Sequence, residues 1–61
     1  MSNQILTTLR NSGFSAVASA DGKRVLVTLK NQPVSMMDVQ IVIGFDFAMT
    51  RNGNGVLITD L

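Results

Sequence analysis

The sequence repeats itself after 31 residues, and this repeat constrains the fold more than any other feature. Residues 1–30 align with residues 32–61 without a gap and share six identities, where average residue usage gives about two. The identical pairs are Gly13/Gly44, Phe14/Phe45, Gly22/Gly53, Val25/Val56, Leu26/Leu57 and Thr28/Thr59. A period of this length is typical of one supersecondary unit used twice, in which neither copy buries its apolar side alone. The sequence therefore predicts a single domain, 1–61, built from pseudo-repeats 1–30 and 32–61.

Each unit is predicted to begin with a short helix. In the first unit, apolar residues at helical spacing indicate one buried helix face: Ile5, Leu6 and Leu9. Ser2 or Asn3 is the expected N-cap. Gly13 is expected to end the helix in a left-handed conformation, so that a Schellman motif places Phe14 against Leu9.

A β-hairpin is predicted to follow each helix, because apolar residues alternate on both sides of Asp21-Gly22 and Asn52-Gly53, dipeptides favoured in two-residue turns. The expected strands are 14–19 with 24–30, and 45–50 with 55–60. A two-residue turn pairs the first hairpin as Ala18/Val25, Ala16/Val27, Val17/Leu26 and Ser15/Thr28, and the second as Met49/Val56, Phe47/Ile58 and Ala48/Leu57. In the first hairpin, a three-residue loop with a bulge is the alternative. The predicted fold is α+β, with order αββαββ, and a four-stranded antiparallel sheet carries two short helices on one face.

The segment that opens the second unit supports two predictions. Ser35 and Asp38 resemble a capping box, and Val34 and Val39 are spaced as a hydrophobic staple. These signals predict a helix over 35–43 that stops at Gly44. Alternating β-branched and aromatic residues over 39–47 favour a strand instead. We favour the helix because the cap, the staple and the repeat agree.

That second helix is apolar on nearly all sides, which is typical of a helix covered on more than one side. The chain has 61 residues and neither cysteine nor histidine, so disulfides and the commonest metal ligands are absent. Small domains without such supports often rely on a partner subunit. The sequence therefore predicts a homodimer, with a candidate dimer interface at Met36, Met37, Ile41 and Val42.

The sheet face opposite the helices is predicted to carry an apolar cluster. Its members are Val17, Leu26, Ala48 and Leu57. Such clusters often mark contact surfaces, although scattered aliphatic residues on an open face also need no partner. The leading prediction is a small non-enzymatic binding or regulatory protein that contacts another protein through this face or a sheet edge. A structural subunit of a larger assembly is a further alternative.

Catalytic chemistry has little support in the sequence. There is no His, Cys, Tyr or Glu, and no glycine-rich phosphate loop. Asp46 and Asp60, the one pair of carboxylates that could meet across a hairpin, are predicted to point to opposite sides of the sheet. We therefore expect no catalytic residues, no metal site and no cofactor.

Nucleic-acid binding is the alternative function. The candidate contacts lie at the two hairpin tips: Lys23, Arg24, Arg51 and Asn54. A net charge of +1 and the lack of outward aromatic residues weaken this alternative. The N-terminal residues lack the pattern of a secretory signal, and no apolar run reaches membrane-spanning length. These observations predict a cytoplasmic protein that does not bind membranes.

Overall fold

The computed structural model describes residues 2–59 and 61, apart from the side chain of Ser2. It contains two helices and one four-stranded antiparallel sheet, which confirms the α+β class. The elements in chain order are α1 (Ser2–Asn11), β1 (Ser15–Ala18), β2 (Val25–Thr28), α2 (Met36–Ile43), β3 (Ala48–Asn52) and β4 (Gly55–Thr59). The strand order is β1-β2-β4-β3, so the two hairpins meet along β2 and β4. Within the described residues, neither helix is long and apolar enough to cross a bilayer.

The core lies between the helices and one face of the sheet. Its buried members are Ile5, Leu6 and Leu9 from α1, Ala16, Val25, Val27, Val56 and Ile58 from the sheet, and Val34 and Val39 from the α2 region. The alternation of side chains along each strand explains why these sheet residues share one face. The opposite face is left uncovered by the helices.

Helix α1 ends as the sequence predicts. Gly13 has a φ of 94°, and its N–H donates to the carbonyl of Arg10 at 3.1 Å. The N–H of Phe14 donates to the carbonyl of Leu9, also at 3.1 Å, which completes the Schellman pattern. The helix begins at Ser2, so Asn3 lies within it and is not its cap. The predicted cap by the Ser2 side chain lies outside the described residues.

Helix α2 confirms the helical prediction and excludes the alternative strand over 39–47. The Ser35 side chain accepts a hydrogen bond from the N–H of Asp38 at 3.4 Å. Both valines of the expected staple, Val34 and Val39, are buried. Gly44 ends the helix with φ 97° and ψ 175°, a region that only glycine adopts readily. This ending differs from the Schellman motif of α1, although a glycine ends both helices.

The first hairpin has the predicted register but a different loop. Ser15, Ala16, Val17 and Ala18 pair with Thr28, Val27, Leu26 and Val25, in that order. The Ser19 N–H donates to the carbonyl of Arg24 at 2.9 Å, which leaves residues 20–23 as a four-residue loop. Only Gly22 in this loop has a positive φ, at 72°. The two-residue turn at Asp21-Gly22 was therefore wrong, because Asp21 does not adopt the positive φ that a type I′ turn needs.

The predicted register of the second hairpin was wrong by two residues. Met49 pairs with Ile58 and Thr50 pairs with Leu57, while Asn52 and Gly55 close a two-residue loop. Gly53 has a φ of 58°, and the following Asn54 has no positive φ, which is the pattern of a type II′ turn. Residues 52–55 contain dipeptides for both primed turns, so the local sequence allows either register. A shift of two residues keeps every side chain on its predicted face.

The predicted third strand also begins too early. Residues 45–47 form bends, and β3 starts only at Ala48. Because the backbone of Gly44 redirects the chain after α2, the strand that the repeat predicts from residue 45 does not start there.

The linker after β2 is a tight turn, with Leu29 bridged to Gln32 and Asn31 in the left-handed region at φ 60°.

The pairing of the central strands β2 and β4 is centred on Leu26 and Leu57. Leu26 lies opposite Leu57, Val25 opposite Ile58 and Val27 opposite Val56. Leu26 thus faces the residue 31 positions later, its counterpart in the predicted repeat. The two hairpins nevertheless differ in loop length and register, and the tandem repeat stays a prediction.

Candidate functional site

Two apolar surfaces are exposed, one on the sheet and one on α2. The sheet surface consists of Val17, Leu26, Ala48 and Leu57. The α2 surface consists of Met37 and Ile41 on α2 and of Phe45, two residues beyond its end. Among the described residues, the large hydrophobic side chains with high exposure are Val17 at 65%, Met37 at 56%, and Ile41 and Phe45 at 68% each. Three of these four belong to the α2 surface.

The sheet surface contains a continuous apolar row across three strands. Val17 pairs with Leu26, and Leu26 pairs with Leu57, so the three side chains are neighbours on the face away from the helices. Thr50 of β3 completes the row. Ala48 pairs with Thr59 and not with Leu57, so it lies in the adjacent row. The predicted cluster is therefore largely brought together, with Ala48 at its margin.

An open depression of about 310 Å³ lies over this row. Its walls are formed by Val17, Ala18, Ser19, Arg24, Leu26 and Leu57. Arg24 is the one charged residue among them. The depression is thus an apolar site with a cation at its rim, which can orient a partner that carries a carboxylate.

Gly55 lies where β4 approaches β2 closely. A Cβ atom at this position would lie 2.7 Å from the carbonyl oxygen of Val27 and 3.2 Å from Cγ2 of Thr28. There is no room for a side chain, so Thr28 lies over the glycine. The polar margin of the sheet surface depends on this close approach of β4 to β2.

Helix α2 presents only part of the predicted dimer interface to solvent. Met37 and Ile41 are four residues apart and share a helix face opposite the buried Val39. Met36 and Val42 are partly buried and pack against the core. The structure therefore keeps Met37 and Ile41 as candidates and assigns Met36 and Val42 to the core margin.

Sequence reasoning missed Phe45 as a surface residue. Its repeat counterpart, Phe14, follows a Schellman motif and packs against the core. Phe45 follows the different backbone geometry of Gly44 and is exposed. The alternation of Ile43, Phe45 and Phe47 indicated a strand, so periodicity contained no signal for this placement.

A groove between α1 and α2 was also missed. It has a volume of about 210 Å³ and is lined by Gln4, Ile5, Thr8, Val42, Ile43 and Phe47. None of these side chains is charged. The groove depends on the packing of the two helices, which the sequence does not specify.

The basic residues of the two hairpin tips do not converge. Because β2 and β4 are antiparallel, Lys23 and Arg24 lie at one end of the sheet, and Arg51 and Asn54 lie at the other. The first tip also carries the Asp21 carboxylate. Its pKa lies below the ordinary value because the Ser19 hydroxyl and the Lys23 N–H donate to it and Arg24 is nearby. This negative charge offsets part of the positive charge of the tip.

The remaining predictions about chemistry are only partly covered by the structure. Asp60 lies outside the described residues, so the predicted separation of Asp46 and Asp60 stays a prediction. Residues 2–59 and 61 contain no cluster of three side chains that could hold a metal ion.

Comparison with known proteins finds no matching family model, curated protein or solved structure. The features of this chain that bear on its function are therefore its two exposed apolar surfaces and the groove beside α2.

Proposed function

We propose that this chain is a small non-enzymatic binding protein that contacts another protein through its sheet surface. The observation that supports this proposal is the uncharged row formed by Val17, Leu26 and Leu57, which lies on an open face and borders a depression of about 310 Å³. Contiguous apolar side chains with a polar margin are typical of protein contact surfaces.

The size of the molecule limits what kind of partner fits. Its longest dimensions are 27 and 20 Å, and its total accessible surface is 3952 Å². A standard interface buries about 800 Å² on each partner. The row and its depression cover only a small part of that surface, so this face suits a short segment of a larger protein, held weakly or transiently. We expect that segment to place apolar side chains over the row.

The sheet face is a better candidate than the sheet edges. On the β1 edge, the Arg10 guanidinium donates to the carbonyl oxygen of Ala16 at 2.8 Å. On the β3 edge, the charged side chain of Arg51 discourages the addition of another strand. The edges are thus partly protected, whereas the central row is open.

The nucleic-acid alternative loses its main support, because its candidate residues lie at opposite ends of the sheet. A structural role in a larger assembly would use the same sheet surface and would differ in stoichiometry. The cytoplasmic location and the lack of enzymatic activity remain predictions.

A charge placed in the apolar row tests the proposal. Leu26→Lys and Leu57→Lys introduce a cation at the centre of the row, and Ser15→Lys introduces the same cation at the margin of the same face. Tagged variants are used to capture partners from the native cells, and circular dichroism verifies that each variant is folded. We expect the central variants to lose a partner that the wild type and Ser15→Lys retain. Retention by both central variants, or no partner for the wild type, contradicts the proposal.

A further inference from the structure

We propose that a second copy of this chain binds the α2 side of the molecule, and that each copy inserts Phe45 into the groove between α1 and α2 of the other. The sheet surfaces of both copies stay free in this dimer. It would therefore present two binding sites of the kind proposed above, although it does not depend on them.

Phe45 is the inserting side chain because it is large, apolar and 68% exposed. Burial of an aromatic side chain is among the largest contributions that one residue makes to an interface. The backbone of Phe45 is held between Gly44, which ends α2, and the bends that precede β3. The ring is thus presented at the end of α2 and does not fill the groove of its own chain.

The groove suits a phenyl ring in size and chemistry. Its volume is about 210 Å³. An apolar protein cavity of about 150 Å³ is already large enough to hold benzene. The lining side chains Ile5, Val42, Ile43 and Phe47 provide apolar contacts, and no charged group would be buried by the ring.

The positions of the ring and the groove fit twofold symmetry. Residues 43 and 47 line the groove, and Phe45 is two residues from each, so its backbone lies within about 7 Å of the groove wall. A twofold interface requires that one surface contain both halves of every contact. A protruding ring beside an apolar groove meets that requirement, because one rotation places each ring over the other groove.

The outward face of α2 extends the contact. Met37 and Ile41 are exposed on the same side of the helix and would be covered by the partner copy. Three large side chains and one groove from each copy bury less area than a standard interface does. We therefore expect a concentration-dependent dimer with a dissociation constant of about 10–100 μM, in the range of weak interfaces.

Sedimentation equilibrium from about 10 μM to 1 mM tests the dimer. Phe45→Ser removes the ring, and Val17→Ser removes an equally exposed side chain from the other face as the matched control. We expect Phe45→Ser, which removes both rings of the twofold dimer, to weaken dimerisation by more than about thirtyfold, the effect of losing one interface hot spot, and Val17→Ser to leave it unchanged. A monomeric wild type at 1 mM, an unaffected Phe45→Ser dimer, or loss of the dimer in Val17→Ser overturns the proposal.

An isotope-filtered NMR experiment tests the insertion itself. Equal amounts of ¹³C-labelled and unlabelled wild-type protein are mixed at a concentration where the dimer forms. Nuclear Overhauser effects between the Phe45 ring of one copy and the Ile5 and Val42 methyl groups of the other are expected. Their absence in a dimeric sample shows that another surface mediates association. The sheet-surface variant Leu26→Lys should still dimerise, so this proposal and the proposed function can fail separately.

Discussion

The two hairpins close their loops by different means. In the first, side chains hold residues 20–23 together with one backbone hydrogen bond, from the Gly22 N–H to the Ser19 carbonyl at 3.0 Å. The Ser19 hydroxyl donates to Oδ1 of Asp21 at 2.5 Å and accepts from the N–H of Arg24 at 3.1 Å. The same Asp21 oxygen accepts from the N–H of Lys23 at 3.0 Å. These three side-chain hydrogen bonds are exposed to solvent.

The second hairpin relies on backbone geometry, on the Arg51 guanidinium and on a contact outside the hairpin. The guanidinium donates to the carbonyls of Asn54 and Gly55, at 3.4 Å each. Gly53 supplies the positive φ of a two-residue turn. The carbonyl of Asn54 accepts from the N–H of Val34 at 2.7 Å, which connects the turn to the segment before α2. A loop held by exposed polar side chains is expected to respond to solvent conditions. A loop held by backbone conformation responds to replacement of its glycine.

The largest effect is expected where the two hairpins join. In Gly55→Ala, the new Cβ would lie 2.7 Å from the carbonyl oxygen of Val27, so β2 and β4 would have to separate. We expect the free energy of unfolding to fall by about 3 kcal/mol, the upper range for overpacking. Urea denaturation followed by circular dichroism measures the loss. Ser15→Ala, on an exposed site of β1, is the control, and equal stability of the two variants would refute the close approach.

The next largest effect distinguishes the two turns. We expect Gly53→Ala to cost about 2 kcal/mol, because the first position of a type II′ turn strongly favours glycine. Gly22→Ala should cost about 1 kcal/mol, because its φ of 72° is also positive but the four-residue loop around it has more backbone freedom to relieve the strain than a two-residue turn has. The same urea measurement compares them.

Asparagine variants sharpen this prediction. Asparagine tolerates the left-handed region better than alanine does, so Gly22→Asn should recover part of the stability that Gly22→Ala loses. Gly53→Asn should recover less. Equal recovery at both positions would show that the two loops do not differ in the way described.

The smallest expected effect is a dependence of stability on pH that arises in the first hairpin. The folded pKa of Asp21 lies below its ordinary value of 3.8, so its ionised form stabilises the folded state. This contribution is complete above the unfolded pKa and is lost as the pH falls through the lower, folded pKa. NMR titration from about pH 5 to pH 2 should move the amide signals of Lys23 and Arg24.

The second hairpin provides the internal control for that titration. The amide signal of Val34, which reports the Asn54 contact, should not follow the Asp21 transition. Asp21→Asn should remove the transition from Lys23 and Arg24. A shared transition of both hairpins in the wild type would mean that the loops are coupled.

Sequence patterns that span only a few residues were sufficient to predict much of the fold. The Schellman end of α1 follows from Gly13 and the apolar residue after it. The cap at Ser35 correctly outweighed the strand-like alternation over 39–47, because a cap satisfies backbone groups that alternation does not address. The register of the first hairpin followed from the match of apolar positions on both strands.

The binding surfaces were predictable only in part. Alternation alone places Val17, Leu26 and Leu57 on one sheet face. The same pattern cannot reveal that Phe45 is exposed, because the backbone of Gly44 redirects the chain after α2. The groove beside α2 was also not predictable, since it lies between two helices whose relative position depends on the packed core.

The sequence by itself determined the helices, the strand pairs within each hairpin and the sheet face of each strand residue, because these depend on caps and on periodicity over a few residues. Only the tertiary structure decided the order β1-β2-β4-β3, the loop register of the second hairpin and the exposure of Phe45. In residues 52–55 two turns are locally allowed, and in residues 45–47 the repeat predicts a strand that does not form. Contacts between distant segments, such as Gly55 against Val27 and Val34 with Asn54, favour one arrangement over the others, because their energies are absent until the whole chain has packed.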